Sequence, residues 1–164
     1  APVQERGQTV SSTIIRQLIQ EYRFDEIPHY LGRDYSIYGQ VEQGEQRGQK
    51  LGFPTANIQP GVTLALPDGV YVSKIKVADQ TYFGVTNSGK KPTFGTNVSS
   101  VETLIFDFEK DIYGEYLEVI PLYQLRPEMK FANIENLKTQ IKQDIEAARN
   151  YLSTHDLQLA INSL

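Results

Sequence analysis

With 164 residues, 40% hydrophobic and 22% charged, the chain can fill one core with a small appendage but not two full domains. A formal net charge of -4 argues against a general nucleic-acid or anionic-membrane binder. The absence of cysteine rules out a disulfide framework, a thiolate nucleophile and Cys-ligated zinc, which fits a reducing cytoplasm. No apolar run approaches the roughly 18 residues of a membrane span, and no signal-peptide pattern is present.

The opening APVQERGQTV starts at Ala1 rather than Met and reads as a linker, so a piece of a longer protein is expected. Residues 1–33 form a helical zone. Ser11 or Ser12 can cap a helix whose apolar residues Ile14, Ile15, Leu18, Ile19 and Tyr22 fall at helical spacing. Asp25 can start a shorter helix carrying Ile27, Tyr30 and Leu31, ended by Gly32. Two short helices bury little alone, so this zone must lean on something else.

Residues 34–164 form the second unit. From about Asp34 to Pro127 the pattern has a period of two. Ile37 and Val41 alternate with Tyr38 and Gln40, and Tyr71, Ile75 and Val77 with Lys74 and Lys76. Leu104, Phe106 and Phe108 alternate with Ile105 and Asp107; Leu117, Val119, Tyr123 and Leu125 alternate with Glu118 and Gln124. Turns are expected at Asp79-Gln80 and at Asp111 to Glu115, and Pro121 implies an edge or a bulge. The final stretch reads as one long helix capped by Asn133, with Ile134, Leu137, Ile141, Ile145, Ala148 and Leu152 as its apolar stripe. The predicted fold is mainly β: a six-stranded antiparallel, Greek-key-like barrel with a long C-terminal helix and a short helical N-terminal segment.

The segment from Tyr38 to Ile58 carries the most chemistry. Gly44, Gly48 and Gly52 stand four apart, with Arg47 and Lys50 among them. Glycines let backbone N–H groups approach a phosphate, and cations neutralise it. A plain turn between strands explains the same glycines, and GxxxxGK[ST] is absent, so this is not a P-loop. In the following Gly52-Phe53-Pro54-Thr55-Ala56-Asn57, Pro54 favours an extended backbone. Thr55 and Asn57 then project to one side as hard oxygen donors suited to Mg²⁺, or form a turn bonded to its own backbone. Glu102 shares parity with Leu104, Phe106 and Phe108, which places a carboxylate on an apolar strand face; it is either functional or a strand-end glutamate reaching solvent. The two histidines, His29 and His155, read as surface or packing residues.

The glycine-rich segment ending in GFPTAN resembles the flavokinase family, specifically the kinase module of bacterial bifunctional riboflavin kinase/FAD synthetases. The resemblance continues through Asn87-Ser88-Gly89-Lys90-Lys91-Pro92-Thr93-Phe94-Gly95, Val101 to Leu104, Asp111 to Glu115, and Leu125 to Phe131 with the final helix. Val10 to Arg16 is similar to the motif that closes the adenylyltransferase domain of the bifunctional enzymes, which implies that residues 1–33 are a remnant or linker of that missing domain.

The resemblance implies an ATP:riboflavin 5′-phosphotransferase with Mg²⁺ as cofactor, riboflavin and ATP as substrates, and FMN and ADP as products. It implies metal and phosphate binding by Thr55 and Asn57. It also implies ATP binding by Gly44, Arg47, Gly48, Lys50 and Gly52, and Glu102 as the general base toward the 5′-hydroxyl. The loop from Arg126 to Phe131 resembles the flavin-side flap: Met129 and Phe131 would cover the ring, and Arg126 would contact flavin or nucleotide. The same residues also fit a strand-to-helix connection packed on the core. Gln49 departs from the family, which usually has Arg there. The expected activity is FMN formation without FMN adenylylation, in the cytoplasm, with no nucleic-acid or membrane partner. A flavin- or nucleotide-binding module that needs its missing half is the competing reading.

Overall fold

A computed structural model describes residues 4–5, 8–9, 11–44, 47–93 and 96–157. Residues 1–3, 6–7, 10, 45–46, 94–95 and 158–164, and the side chains of residues 4–5, 8–9, 47, 91–93 and 96–97, lie outside what is described. A two-residue ribbon, β1 (Gln4–Glu5) and β2 (Gln8–Thr9), precedes α1 (Ser12–Gln20), a 3₁₀ turn at Phe24–Glu26 and α2 (Ile27–Leu31). Then come β3 (Ile37–Glu42), α3 (Arg47–Lys50), β4 (Ala56–Ile58), β5 (Gly69–Val77), β6 (Gln80–Thr93), β7 (Thr96–Ile105), β8 (Tyr116–Pro127) and α4 (Ile134–Thr154).

Strands β3 to β8 close a barrel in the order β3-β4-β7-β6-β5-β8, with every pairing antiparallel. This is the six-stranded barrel that the alternating pattern predicts. Inward residues such as Ile37, Val41, Ile58, Tyr71, Ile75, Val101, Leu117 and Val119 form the inner core. On the outer face, Val72, Phe83 and Phe106 are covered by Ala148 and Leu152 of α4. The helix begins where Asn133 accepts a hydrogen bond from the Asn136 backbone N–H at 2.8 Å, the expected cap.

The N-terminal helices lean on the barrel, as their small size requires. Ser11 caps α1 by accepting from the Ile14 N–H, and Leu18, Ile19, Phe24 and Ile27 join the inner core beside Leu66 and Tyr71. Each fully buried side chain of this type contributes about 1.5–3 kcal/mol, enough to hold helices that would be marginal in isolation.

Three local expectations change. Strand β7 stops at Ile105, and Asp107 takes a left-handed φ of 55°. The alternation therefore breaks: Phe106 packs under α4, while Phe108 turns to the inner core. The β5–β6 turn is one residue earlier than expected, because Val77 pairs with Gln80 and leaves Ala78 and Asp79 as its centre. Pro121 does sit beside a bulge: Ser73 faces Pro121 while Val72 faces Tyr123, so Leu122 is the extra residue. A second shift, between Tyr71 and Val70, leaves Leu125 unpaired in the same way, so Tyr123, which is exposed, and Leu125, which packs with the α4 cluster, leave the inward face of Leu117 and Val119 that the alternation predicts for them.

Both turn residues have positive φ, 48° at Ala78 and 61° at Asp79, the geometry of a two-residue hairpin that favours Asn-Gly. An alanine there is strained. Replacing Ala78 with Gly is expected to stabilise the fold by about 1 kcal/mol, raising Tm by roughly 2–4 °C in a thermal melt.

Candidate active site

Pro54 holds the chain extended into β4, where Ala56 and Ile58 turn inward and Asn57 turns outward. Thr55 and Asn57 line one cavity of about 400 Å³. Gln49, the inward-facing Val41, Ala56, Thr103 and Ile105, and the segment from Phe108 to Tyr113 complete its lining; within that segment the Tyr113 N–H donates to Asp111 Oδ1 at 3.0 Å.

The glycines are explained by close approach. A Cβ on Gly44 would lie 2.2 Å from Asn57 Nδ2, and one on Gly48 would lie 2.3 Å from the Phe53 carbonyl and 3.3 Å from the Thr55 side chain. The Gly48 carbonyl accepts from Leu51 N at 3.1 Å and Phe53 N at 2.7 Å, closing the α3 turn onto the Pro-Thr-Ala-Asn segment. Gly52 has φ +85°, which leaves glycine favoured. Gly44 and Gly48 thus press directly on Asn57 and Thr55. Lys50 is exposed, and Gln49, the uncharged departure, stands in the cavity wall.

Strand register extends the site across the outer face. Asn57 is directly opposite Glu102, Glu102 is opposite Asn87, Asn87 is opposite Val70, and Val70 is opposite Arg126. Cross-strand partners share a face, so these side chains form one row, roughly 14 Å from Glu102 to Arg126 over three strand spacings. The inner face carries their neighbours, including the Thr86–Thr103 hydroxyl pair at 3.0 Å. Glu102 is half-buried and shares its face with Leu104, which packs toward α4. Asn57 belongs both to the cavity and to this row.

At the far end of the row, Arg126 meets Asp144 of α4. Nε donates to Oδ1 at 3.0 Å and Nη2 to Oδ2 at 2.9 Å, with side-chain exposures of only 16% and 7%. Gln140 donates to the same carboxylate at 3.0 Å, and Nη1 donates to the Pro127 carbonyl at 3.1 Å. The guanidinium also lies 5.8 Å from the Phe131 ring centre. Arg126 therefore anchors the loop that follows β8, on which Met129 is exposed and Phe131 half-buried. Sequence reading passed over Asp144, although its position on the apolar stripe between Ile141 and Ala148 was a readable signal.

His29 is exposed, and His155 stacks on Tyr151 with ring centres 4.0 Å apart, so both stand away from the cavity lining. Among the described residues no group of three or more His, Cys, Asp or Glu can hold a metal ion.

Removing one member of the buried pair leaves the other uncompensated. Asp144→Ala is expected to cost about 2–4 kcal/mol in a denaturant titration, and a paired Arg126→Met, Asp144→Leu replacement is expected to recover most of that loss.

A family model described as flavokinase, riboflavin kinase, matches residues 31–152. The bifunctional riboflavin kinase/FMN adenylyltransferase of Haemophilus influenzae is 36% identical over 149 residues, covering 90% of this chain and 48% of that protein. A Bacillus subtilis protein named as an RNA-binding riboflavin kinase is 46% identical over 110 residues, 66% of this chain and 47% of its own length. A crystal structure from Streptococcus pneumoniae, titled a macrolide-efflux protein, superposes with a TM-score of 0.77 at 37% identity, covering 91% of this chain and 49% of that one. The chain spans about half the length of the curated relatives it matches. The matched segment runs from the end of α2 through the barrel, the cavity, the polar row and nearly all of α4, and the chain belongs to the riboflavin kinase family.

Proposed function

We propose that this domain transfers the γ-phosphate of ATP to the 5′-hydroxyl of riboflavin, giving FMN and ADP. The observation that carries the reading is the position of Asn57, which lines the cavity and faces Glu102 across the β4–β7 pairing. A nucleotide in the cavity places its terminal phosphate at Thr55 and Asn57, with Gly44, Gly48 and Gly52, Arg47 and Lys50 on the glycine-rich side. The acceptor hydroxyl comes to Glu102, one strand away.

Phosphoryl transfer depends mainly on positioning and charge neutralisation. The Glu102 carboxylate orients the 5′-hydroxyl and takes its proton. The new bond joins the hydroxyl oxygen to the γ-phosphorus, and the bond from that phosphorus to the β-γ bridging oxygen breaks to release ADP. The Thr55 hydroxyl and the Asn57 carboxamide oxygen are hard donors that fit Mg²⁺, which takes few protein ligands and completes its shell with phosphate and water. Bound with the nucleotide, that ion neutralises phosphate charge. Riboflavin lies along the row toward the loop that Arg126 anchors, where Met129 and Phe131 close on the ring.

Residues 1–33 are read as the remnant of an adenylyltransferase domain, and FMN adenylylation is not expected from this chain, which matches only about half of the bifunctional relatives. Among the described residues no helix is long and apolar enough to cross a membrane, and a cytoplasmic location fits the lack of cysteine. Gln49 in the cavity wall, where a cation is usual in the family, favours a second reading: a flavin- or nucleotide-binding module that turns over only with its other half.

Incubating the chain with riboflavin, ATP and Mg²⁺ and separating the flavins tests the reading. FMN is expected, and no FMN despite binding of both substrates would support the second reading. Glu102→Gln is expected to bind both substrates but lower kcat by roughly 10²–10⁴-fold, and near-normal turnover would remove Glu102 from the mechanism. Gly44→Ala displaces Asn57, so a loss of FMN formation approaching roughly 10²-fold is expected with little change in Tm.

A further inference from the structure

We infer that Asn87 reads the hydroxyls of the acceptor's ribityl chain and so sets which flavins are accepted; this rests on the kinase reading above. Between Phe83 and Gly89 every residue of β6 is buried or half-buried except Asn87, which is exposed. A polar side chain open to solvent in an otherwise covered strand marks a gap in what covers the outer face. Both edges of that gap are defined. On one side Asn87 faces Glu102 across β6–β7, with Cβ atoms about 4.5–5.5 Å apart in such pairs. Two residues along β6 on the same face, Gly89 lies under the loop after β8: a Cβ there would stand 3.1 Å from Glu128 Oε1.

The accessible part of the row runs acid, amide: Glu102, Asn87, with the buried Val70 beyond them. Riboflavin has the same order of chemistry, a reacting hydroxyl followed by a chain of secondary hydroxyls. One strand spacing, about 4.8 Å, is also about the distance from the 5′-oxygen to the 3′-hydroxyl in an extended chain. A carboxamide suits a polyol because it both donates and accepts, whereas a second carboxylate beside Glu102 would only accept. A site that hydrogen-bonds substrate hydroxyls discriminates strongly against an analogue that lacks them.

The probe is a flavin bearing a 5-hydroxypentyl chain, which keeps the terminal hydroxyl and loses the three secondary ones. With riboflavin, Asn87→Ala is expected to raise KM about 10-fold and leave kcat within about threefold. With the hydroxypentyl flavin, parent and variant should behave alike. An equal loss with both flavins would overturn the inference and make Asn87 a residue that merely positions Glu102; no loss with either would also overturn it. Should Asn87→Ala fold poorly, Asn87→Ser serves in its place. Equilibrium binding, read by flavin fluorescence, separates this inference from the kinase reading. If the parent makes no FMN, that reading fails. The inference still stands if the parent prefers riboflavin to the analogue and the variant does not, and falls if the preference survives the substitution.

Discussion

The antiparallel pairing of β4 with β7 is the constraint on which the site depends. It sets Asn57 opposite Glu102, and because Asn57 also lines the cavity beside the Phe108–Tyr113 segment, the cavity and the outer polar row meet at one residue. Neither region would be correctly placed by a strand slip of one residue, which would send Asn57 and Thr55 into the barrel and Ala56 outward. The register is fixed by burial: Ala56 and Ile58 on one strand and Val101 and Thr103 on the other are all buried. Hydrophobic packing inside the barrel thus aims the Asn57 and Glu102 side chains outside it.

Around this pairing, each supporting contact acts at short range. Gly44 and Gly48 let the α3 turn press against Asn57 and Thr55 without a methyl group between them. At the other end of the row, Arg126 joins β8 to α4 through a bidentate pair with a nearly buried carboxylate. Such pairs contribute little net stability compared with apolar packing, but breaking one is costly, so they fix geometry more than they add free energy. The geometry fixed here is the departure of the loop carrying Met129 and Phe131.

Much of the barrel was legible because its strands alternate cleanly where one face meets the core, as in Ile37 and Val41 or Leu117 and Val119. The alternation misled at Phe108, since the left-handed Asp107 reverses the chain's parity and nothing in the residue type forces that turn. It also shifts in β8, where Leu122 and Leu125 are extra residues against β5. Thr55, Asn57 and Glu102 were singled out by spacing, parity and resemblance, yet their juxtaposition was not readable, because pairing partners 45 residues apart depend on closure of the whole barrel. Asn87 was legible only as part of a segment that resembles the family, without a role, and Asp144 was missed, because one depends on its two neighbouring strands and the other on an arginine on a different element.

The most direct test of this arrangement is a crystal structure of the chain with riboflavin, Mg²⁺ and a non-hydrolysable ATP analogue. The terminal phosphate is predicted at Thr55 and Asn57, and the riboflavin 5′-oxygen within about 2.6–3.2 Å of a Glu102 carboxylate oxygen. A nucleotide bound outside the cavity, or a flavin whose 5′-oxygen lies beyond the reach of Glu102, would contradict the account.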